Sequence, residues 1–469
     1  MISFIKKFSL LNILLILFLV WAIDQLFTTI DLLILSKTYG LILTILFLVI
    51  IVFIVLTFFN IFFNKKKFII YFSVIYISLF SVSFVFDIYK DFIEKKNTEK
   101  IYEKKFNKNK NLKFDTRKRK EVVEDLRKTN DRAFSTMSPF FLIRNELKNL
   151  KILPLSGISN VTTVLCNESG EYAIYISDKI GFNNPNNIYK FLDSEQIILI
   201  GDSWIHGACV QPNKTLSTNL RKKNLNIINL AYSGNGPLLE LATLTEYISF
   251  FKPKKVIWFY YENDLRELAL EKKSQILMSY INEENFSQNL YYKQDLIDKF
   301  WESLINKYDY LDVLGGNIKI TKRNFVRQIS RKFERSLKLK SFYDILKKYL
   351  NVRLSVLHNI EELNQLDLFK EIIKKAKKIT NENNAELYFV YLSSLNSVQK
   401  SSPKSHKEVL KIIKELNIPM LDFYNTLKKT ENPEKYFPFG MPFVHFNAQG
   451  VKKLSDEIIL EMDLLSETN

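Results

Sequence analysis

The stretch Gln196–Gly207, QIILIGDSWIHG, decides how this chain is read. Its first half is a short apolar run ending in glycine, the pattern of a parallel strand buried on both faces. Gly201 lets the backbone turn sharply, which leaves Ser203 at the carboxyl end of the strand, near a helix start. A serine hydroxyl held there is open to activation by a neighbouring base. Outward from this point the pattern repeats. Asn226–Ala231 (NIINLA), Lys254–Tyr261 (KKVIWFYY), Ala385–Leu392 (AELYFVYL) and Ile418–Tyr424 (IPMLDFY) are further strand candidates. Helical stretches such as Leu238–Phe251 separate them. Five strands alternating with helices predict a three-layer α/β/α sandwich around a parallel five-stranded sheet of flavodoxin-like type. Ligands in such sheets collect at the carboxyl ends of the strands.

Those strand ends carry the chemistry. The second strand runs into NLAYSGNGP, where Gly234 and Gly236 bring bare backbone N–H groups forward. The third runs into YYENDL, with Asn263 at its end. Backbone N–H groups and a side-chain amide together stabilise an oxyanion. Near the C-terminus, PFVHFNAQG sets His445 just before a final helix, and an imidazole suits the general base. His206, three residues past Ser203, reads as a structural or pocket-wall residue. His358 and His406 read as surface residues in charged helices. Asp202 organises the turn, Asp264 caps the following helix, and Trp204 and Trp258 read as core packing.

Ser, Gly, Asn and His in four ordered blocks over Gln196–Leu460 resemble the SGNH/GDSL hydrolase superfamily, and Ser177–Pro185 (SDKIGFNNP) resembles a lead-in of its membrane-anchored bacterial members. The resemblance implies Ser203 as nucleophile and His445 as base. It implies an oxyanion hole of the Ser203 N–H, Gly234 and Asn263. Two positions depart from the pattern. The family usually has an aspartate three residues before the histidine, where this chain has Pro442. Asp422, ending the IPMLDFY strand, is the candidate acid in its place; the alternative is a dyad oriented by a backbone carbonyl. Glu262 stands where relatives often have glycine, and either narrows the pocket or points outward.

The flanks set the domain plan. Three hydrophobic runs open the chain: Phe8–Ile30, interrupted by Asp24; Gly40–Phe63, uncharged; and Phe68–Ile88, charged only at Asp87. A bilayer span needs about 20 apolar residues. The second and third meet this plainly. For the first, a signal peptide is the rival reading, and the lack of a small-x-small cleavage site favours a retained helix. Residues 1–89 therefore read as a transmembrane region of three helices. Lys6, Lys7 and Lys65–Lys67 put the N-terminus and that turn in the cytoplasm, and the rest of the chain outside. Lys90–Lys120, with 13 basic and 5 acidic residues, argues the other way, and two spans would reverse the sidedness. Residues 90–150 read as a charged stalk, and 151–195 as a β-rich lead-in with a hairpin over Val161–Ile176 turning at Glu168–Gly170. Residues 196–469 form the main domain, with a helical insertion at about 265–364.

The net charge is +17, but lysine is abundant along the whole chain. Without any RRM-like, zinc-finger or helix-turn-helix signature, this charge does not point to nucleic acid. Absence of HExxH, Walker A and Rossmann patterns leaves no metal or nucleotide cofactor indicated. Cys166 and Cys209 are the only cysteines. A disulfide between them is open, and two small buried side chains is the plainer expectation. The function implied is a membrane-anchored serine esterase or O-acyltransferase acting on acyl esters of cell-envelope or exported polysaccharide, or of lipid. A transferase would need an integral-membrane acyl donor partner. The alternative, motivated by Pro442, is a weakened or inactive module of a glycan-modification assembly.

Overall fold

The computed structural model describes residues 115–144, 150, 152–191, 195–308, 364–400, 402–403, 405–442 and 444–462. The three hydrophobic runs of residues 1–89, most of the charged stretch, His358 and the basic Thr321–Leu350 segment lie outside the described residues. Among the described residues, no helix is long and apolar enough to cross a membrane.

Among the described residues, eight strands form two sheets. Strands β1 (Ala133–Ser135), β2 (Thr162–Val164) and β3 (Ile174–Ile176) make a small sheet in that order, with β1–β2 parallel and β2–β3 antiparallel. Strands β4 (Gln196–Ile200), β5 (Asn226–Asn229), β6 (Lys255–Tyr260), β7 (Glu386–Tyr391) and β8 (Met420–Asp422) make the main sheet. Its order is β5-β4-β6-β7-β8, and every pairing is parallel. All of β4 is buried, as are five of the six residues of β6 and of β7. This explains why these strands read as unbroken apolar runs: helices cover both faces, so neither face needs polar residues.

The helices among the described residues are α1 (Arg119–Arg127), α2 (Pro139–Arg144), α3 (Ser203–His206), α4 (Leu216–Arg221), α5 (Pro237–Phe251), α6 (Asp264–Glu271), α7 (Gln275–Asn282), α8 (Gln294–Tyr308), α9 (Leu366–Glu382), α10 (Leu395–Gln399), α11 (Ser405–Glu415), α12 (Phe423–Lys428) and α13 (Ala448–Glu461). Helix α4 packs with α13, while α5, α6, α7, α9 and α11 pack among themselves. Right-handed crossovers account for this division. The step from β4 to β5 runs one way along the sheet and every later step runs the other, so the helices fall on opposite faces. The reversal opens a crevice between the ends of β4 and β6.

The lead-in is fastened to this body rather than trailing from it. Asp178 is fully buried and accepts hydrogen bonds from the N–H groups of Ile180 (3.0 Å) and Phe182 (2.9 Å), Asn184 Nδ2 (2.9 Å) and the Tyr189 hydroxyl (3.0 Å). Burial pushes its carboxyl up to about 6, with those donors opposing. Asn184 also pairs with the backbone of Asn229 in β5, and Asn183 Nδ2 donates to the His206 carbonyl at 2.8 Å. On the other side, Gln288 and Trp301 bond the backbone of Leu153 and Ser156. Residues 115–135, within the charged stretch, contribute β1 to the small sheet and α1, which packs against it.

Candidate active site

Strand β4 delivers its chain into the turn Gly201-Asp202. A side chain at Gly201 would sit 3.1 Å from both Ile205 and Phe259, so the turn packs closely on its neighbours. Asp202 caps α3, accepting from Trp204 N–H at 2.9 Å. Its burial pushes its own carboxyl up to about 6. The turn presents Ser203, whose Oγ lies 2.8 Å from His445 Nε2.

The group behind the histidine is Glu168. Its Oε1 lies 2.9 Å from His445 Nδ1, and its Oε2 accepts the His445 backbone N–H at 2.8 Å. The tautomer that satisfies both neighbours carries its proton on Nδ1, which leaves the Nε2 lone pair to accept from Ser203. Burial opposes the imidazolium, but the charge and hydrogen bond of Glu168, with Asp202, outweigh it and hold His445 above its ordinary value. The ring centroid of Trp204 lies 5.0 Å from that of His445, which walls one side of the imidazole.

Asp422, expected as the acid, is engaged elsewhere. Its Oδ2 lies 3.0 Å from His406 Nε2, and its carboxylate caps α12 through Asn425. β8 is an edge strand of the main sheet, with β6 and β7 between it and β4, the strand that delivers Ser203. His406, expected on the surface, is buried between Tyr391 and Tyr424. No carbonyl-oriented dyad is formed, because Glu168 fills the position behind His445.

The other expected site residues sit on the neighbouring strand ends. Gly234 follows β5 with φ +83°, a left-handed conformation that favours glycine, and a Cβ there would also push on Ser138 Oγ, 2.8 Å away. Asn263 follows β6 at the N-cap of α6 and donates from Nδ2 to Glu267 Oε1 at 2.7 Å. An amide nitrogen carries two hydrogens, so this bond fixes the amide plane and leaves the second N–H to point elsewhere. Glu262 points away from this cluster. Its carboxylate accepts from the hydroxyls of Ser393, Ser394 (3.0 Å) and Ser397 (2.8 Å) and from Ser394 N–H (2.8 Å), joining the end of β6 to that of β7. His206 is fully buried, bridging the Tyr175 hydroxyl (2.8 Å) and Ser233 Oγ (2.8 Å). Burial pulls its pKa down to about 3, so it is a neutral structural residue.

Glu168 sits at the tip of the β2–β3 hairpin, and a second feature fixes that tip. Cys166 and Cys209 form a disulfide, with Cα atoms 4.9 Å apart, in place of the two separate thiols expected. Among the described residues, one group of three could offer a metal three ligand atoms, namely Glu168, Cys209 and His445. Cys209 is already spent in the disulfide, so this is not a cation site in the oxidised chain.

No known family model matches the sequence, and no curated protein is similar to it. Solved structures give remote likenesses. A lipase/acylhydrolase from Enterococcus faecalis aligns with 15% identity and a TM-score of 0.29, over 57% of this chain and 95% of that one. An acylhydrolase from Bacteroides fragilis, its title calling it putative, aligns with 11% identity and a TM-score of 0.30, over 61% and 91%. The esterase EstA from Pseudoalteromonas aligns with 10% identity and a TM-score of 0.28, over 58% and 97%. At these scores the functional argument rests on the geometry of the site.

Proposed function

We propose that this chain is a serine hydrolase of SGNH type that cleaves or transfers acyl esters. The observation carrying the proposal is the unbroken hydrogen-bonded chain Ser203–His445–Glu168. In the reaction, His445 Nε2 takes the Ser203 proton as Oγ attacks the ester carbonyl carbon. The oxyanion that forms is met by the Ser203 and Gly234 N–H groups and the free N–H of Asn263. Collapse expels the alcohol, which takes the proton from His445 and leaves an acyl-serine. Water then gives an acid, and the esterase is complete; a sugar hydroxyl as acceptor gives an O-acyl transfer instead. Glu168 holds the Nδ1 proton and stabilises the imidazolium.

The proposal extends to place and substrate. The hydrophobic runs of residues 1–89 support a membrane anchor. The Cys166–Cys209 disulfide supports an oxidising, extracytoplasmic location for the domain. An acyl ester of exported or envelope polysaccharide is the substrate class that fits both, and an acyl transfer there would call for an integral-membrane donor partner. The reading of an inactive module rested on Pro442, and Glu168 removes that motive.

The test uses the full chain in detergent, assayed on short-chain aryl esters. Wild type should turn over and be labelled by a fluorophosphonate at Ser203, and Ser203→Ala should do neither. A wild type as inert as Ser203→Ala in both assays would sink the proposal.

A further inference from the structure

The hairpin that carries Glu168 is a poor platform for a catalytic group. Its strands are three residues long, and an element of that size has little stability of its own. The ladder continues only through Leu165 N–H to Ala173 O (2.9 Å) and Ala173 N–H to Cys166 O (2.8 Å), and then the loop departs with Glu168 at its tip. Yet that carboxylate must hold one ring nitrogen and one backbone N–H of His445 at the same time.

The Cys166–Cys209 disulfide answers this. Cys166 lies two residues before Glu168. Cys209 lies just past α3, the helix that begins with Ser203, in a left-handed turn with φ +61°. A weaker tie runs alongside, from Ser169 Oγ to the Cys209 carbonyl at 3.3 Å. Ligand atoms of Glu168, Cys209 and His445 all lie within 4.8 Å of one another, so the bridge abuts the carboxylate–imidazole pair itself. The crosslink spans 43 residues and joins the acid-bearing loop to the nucleophile-bearing turn.

We infer that Cys166 and Cys209 are positioning residues of the active site: their disulfide holds Glu168 in register with His445, so the oxidised chain is the competent form. The inference rests on the serine-hydrolase reading above. A dithiol reductant would cleave the S–S bond by thiol–disulfide exchange, giving two protein thiols and an oxidised, cyclic reductant. Glu168 would then be held by hydrogen bonds alone: its own to His445, that of Ser169 to the Cys209 carbonyl, and those that Asp115 and Gln211 make with its loop.

The test compares the full chain in detergent before and after reduction by dithiothreitol, with thiols counted. These are the chain's only two cysteines, so the reductant has one target. Turnover, KM and the pH midpoint are read for wild type, Cys166→Ala/Cys209→Ala and Glu168→Gln. Reduction of wild type, and the double substitution, should lower kcat by about 10-fold or more, up to the loss set by removing the acid. KM should change little, and the pH midpoint should fall toward that of a free imidazole. Reduction of Glu168→Gln should cost less than about twofold, because the group the bridge positions is already disabled. Equal losses in wild type and Glu168→Gln would overturn the inference, as would a reduced wild type that keeps its kcat and midpoint. Loss of far-ultraviolet circular dichroism on reduction would make the bond a global staple and would also overturn it. An oxidised wild type without turnover or Ser203 labelling marks failure of the hydrolase reading instead.

Discussion

Glu168 and His445 stand 277 residues apart in sequence and share two hydrogen bonds, one to the imidazole and one to the backbone of the same histidine. The second bond matters as much as the first. It fixes where the ring starts as well as how it is turned. Replacing Glu168 by Gln keeps the shape and removes the charge. The expected outcome is a fall in kcat of about 10²–10⁴-fold with KM little changed, read by steady-state ester hydrolysis. Asp422→Asn, at a carboxylate that bonds His406, caps α12 and shares no partner with the Ser203–His445–Glu168 chain, should keep kcat within about threefold.

Activity should rise with pH, because only neutral His445 can accept the Ser203 proton. Its pKa is held above the ordinary value by Glu168 and Asp202 against burial. The kcat/KM profile should therefore have its midpoint above about 6.5, the value of a free imidazole. Glu168→Gln should move that midpoint down. A profile whose midpoint does not move would remove Glu168 from the electrostatics of the site.

Asn263 should matter through its free N–H. Asn263→Ala removes one of three oxyanion donors and should lower kcat by about 10²–10³-fold. Glu267→Gln keeps an acceptor for the fixed N–H and should cost less than the alanine change at Asn263. Thermal unfolding of both variants would show whether the loss is catalytic.

Stability should fall as pH rises through neutrality. Burial raises the carboxyls of Asp202 and Asp178 to about 6 and of Glu271 to about 7, and it raises Glu240, Asp264 and Glu267 well above their ordinary range. A carboxyl whose folded value is raised keeps its proton in the folded chain after the unfolded chain has lost it. Its stabilisation is complete below the unfolded value and is lost as pH passes the folded one. His206, depressed to about 3, acts oppositely, but only below the value of a free imidazole. The melting temperature should therefore decline from pH about 6.5 to about 8.5, a window above the His206 effect. Glu240→Gln, at a fully buried side chain whose carboxyl is raised by burial and by the neighbouring Asp202, Glu271 and Glu267, should flatten the decline.

His206→Ala should destabilise without touching the chemistry. It removes a buried hydrogen-bond partner from both the Tyr175 and Ser233 hydroxyls and opens a cavity, together costing about 2–4 kcal/mol in urea unfolding.

The parts of this molecule legible in the sequence are those written locally. The buried parallel strands β4, β6 and β7 leave apolar runs, and Ser203, Gly234 and Asn263 each come within five residues of the end of a main-sheet strand. His445 precedes α13, whose cap Asn447 is itself readable. Glu168 left no such mark. It is a carboxylate in a polar turn, NESGEY, like many surface turns, and its role arises only where a distant hairpin meets the strand ends. The one usable clue was Cys166 beside it and Cys209 beside Ser203: read as a pair, they would have brought the acid to the nucleophile. Asp422 reads as an acid because strand ends in the main sheet carry the other groups, but β6 and β7 stand between its edge strand and β4. His406 followed the same error in reverse, since charged neighbours on α11 hid its inward-facing side.

The turn bearing Glu168 is also pinned from upstream, where Asp115 N–H donates to the Gly170 carbonyl at 2.7 Å and Asn167 Nδ2 donates to the Asp115 carbonyl at 2.9 Å. The functional boundary of the proposed hydrolase is therefore not the boundary of its sheet. A domain excised at Gln196 would retain nucleophile, base and oxyanion donors but leave the acid behind, and one begun past Asp115 would cut the tether of the acid's own loop. Modular transplantation of this catalytic unit has to carry some eighty residues of apparent preamble, from Asp115 to Glu195, because part of the active site is written there.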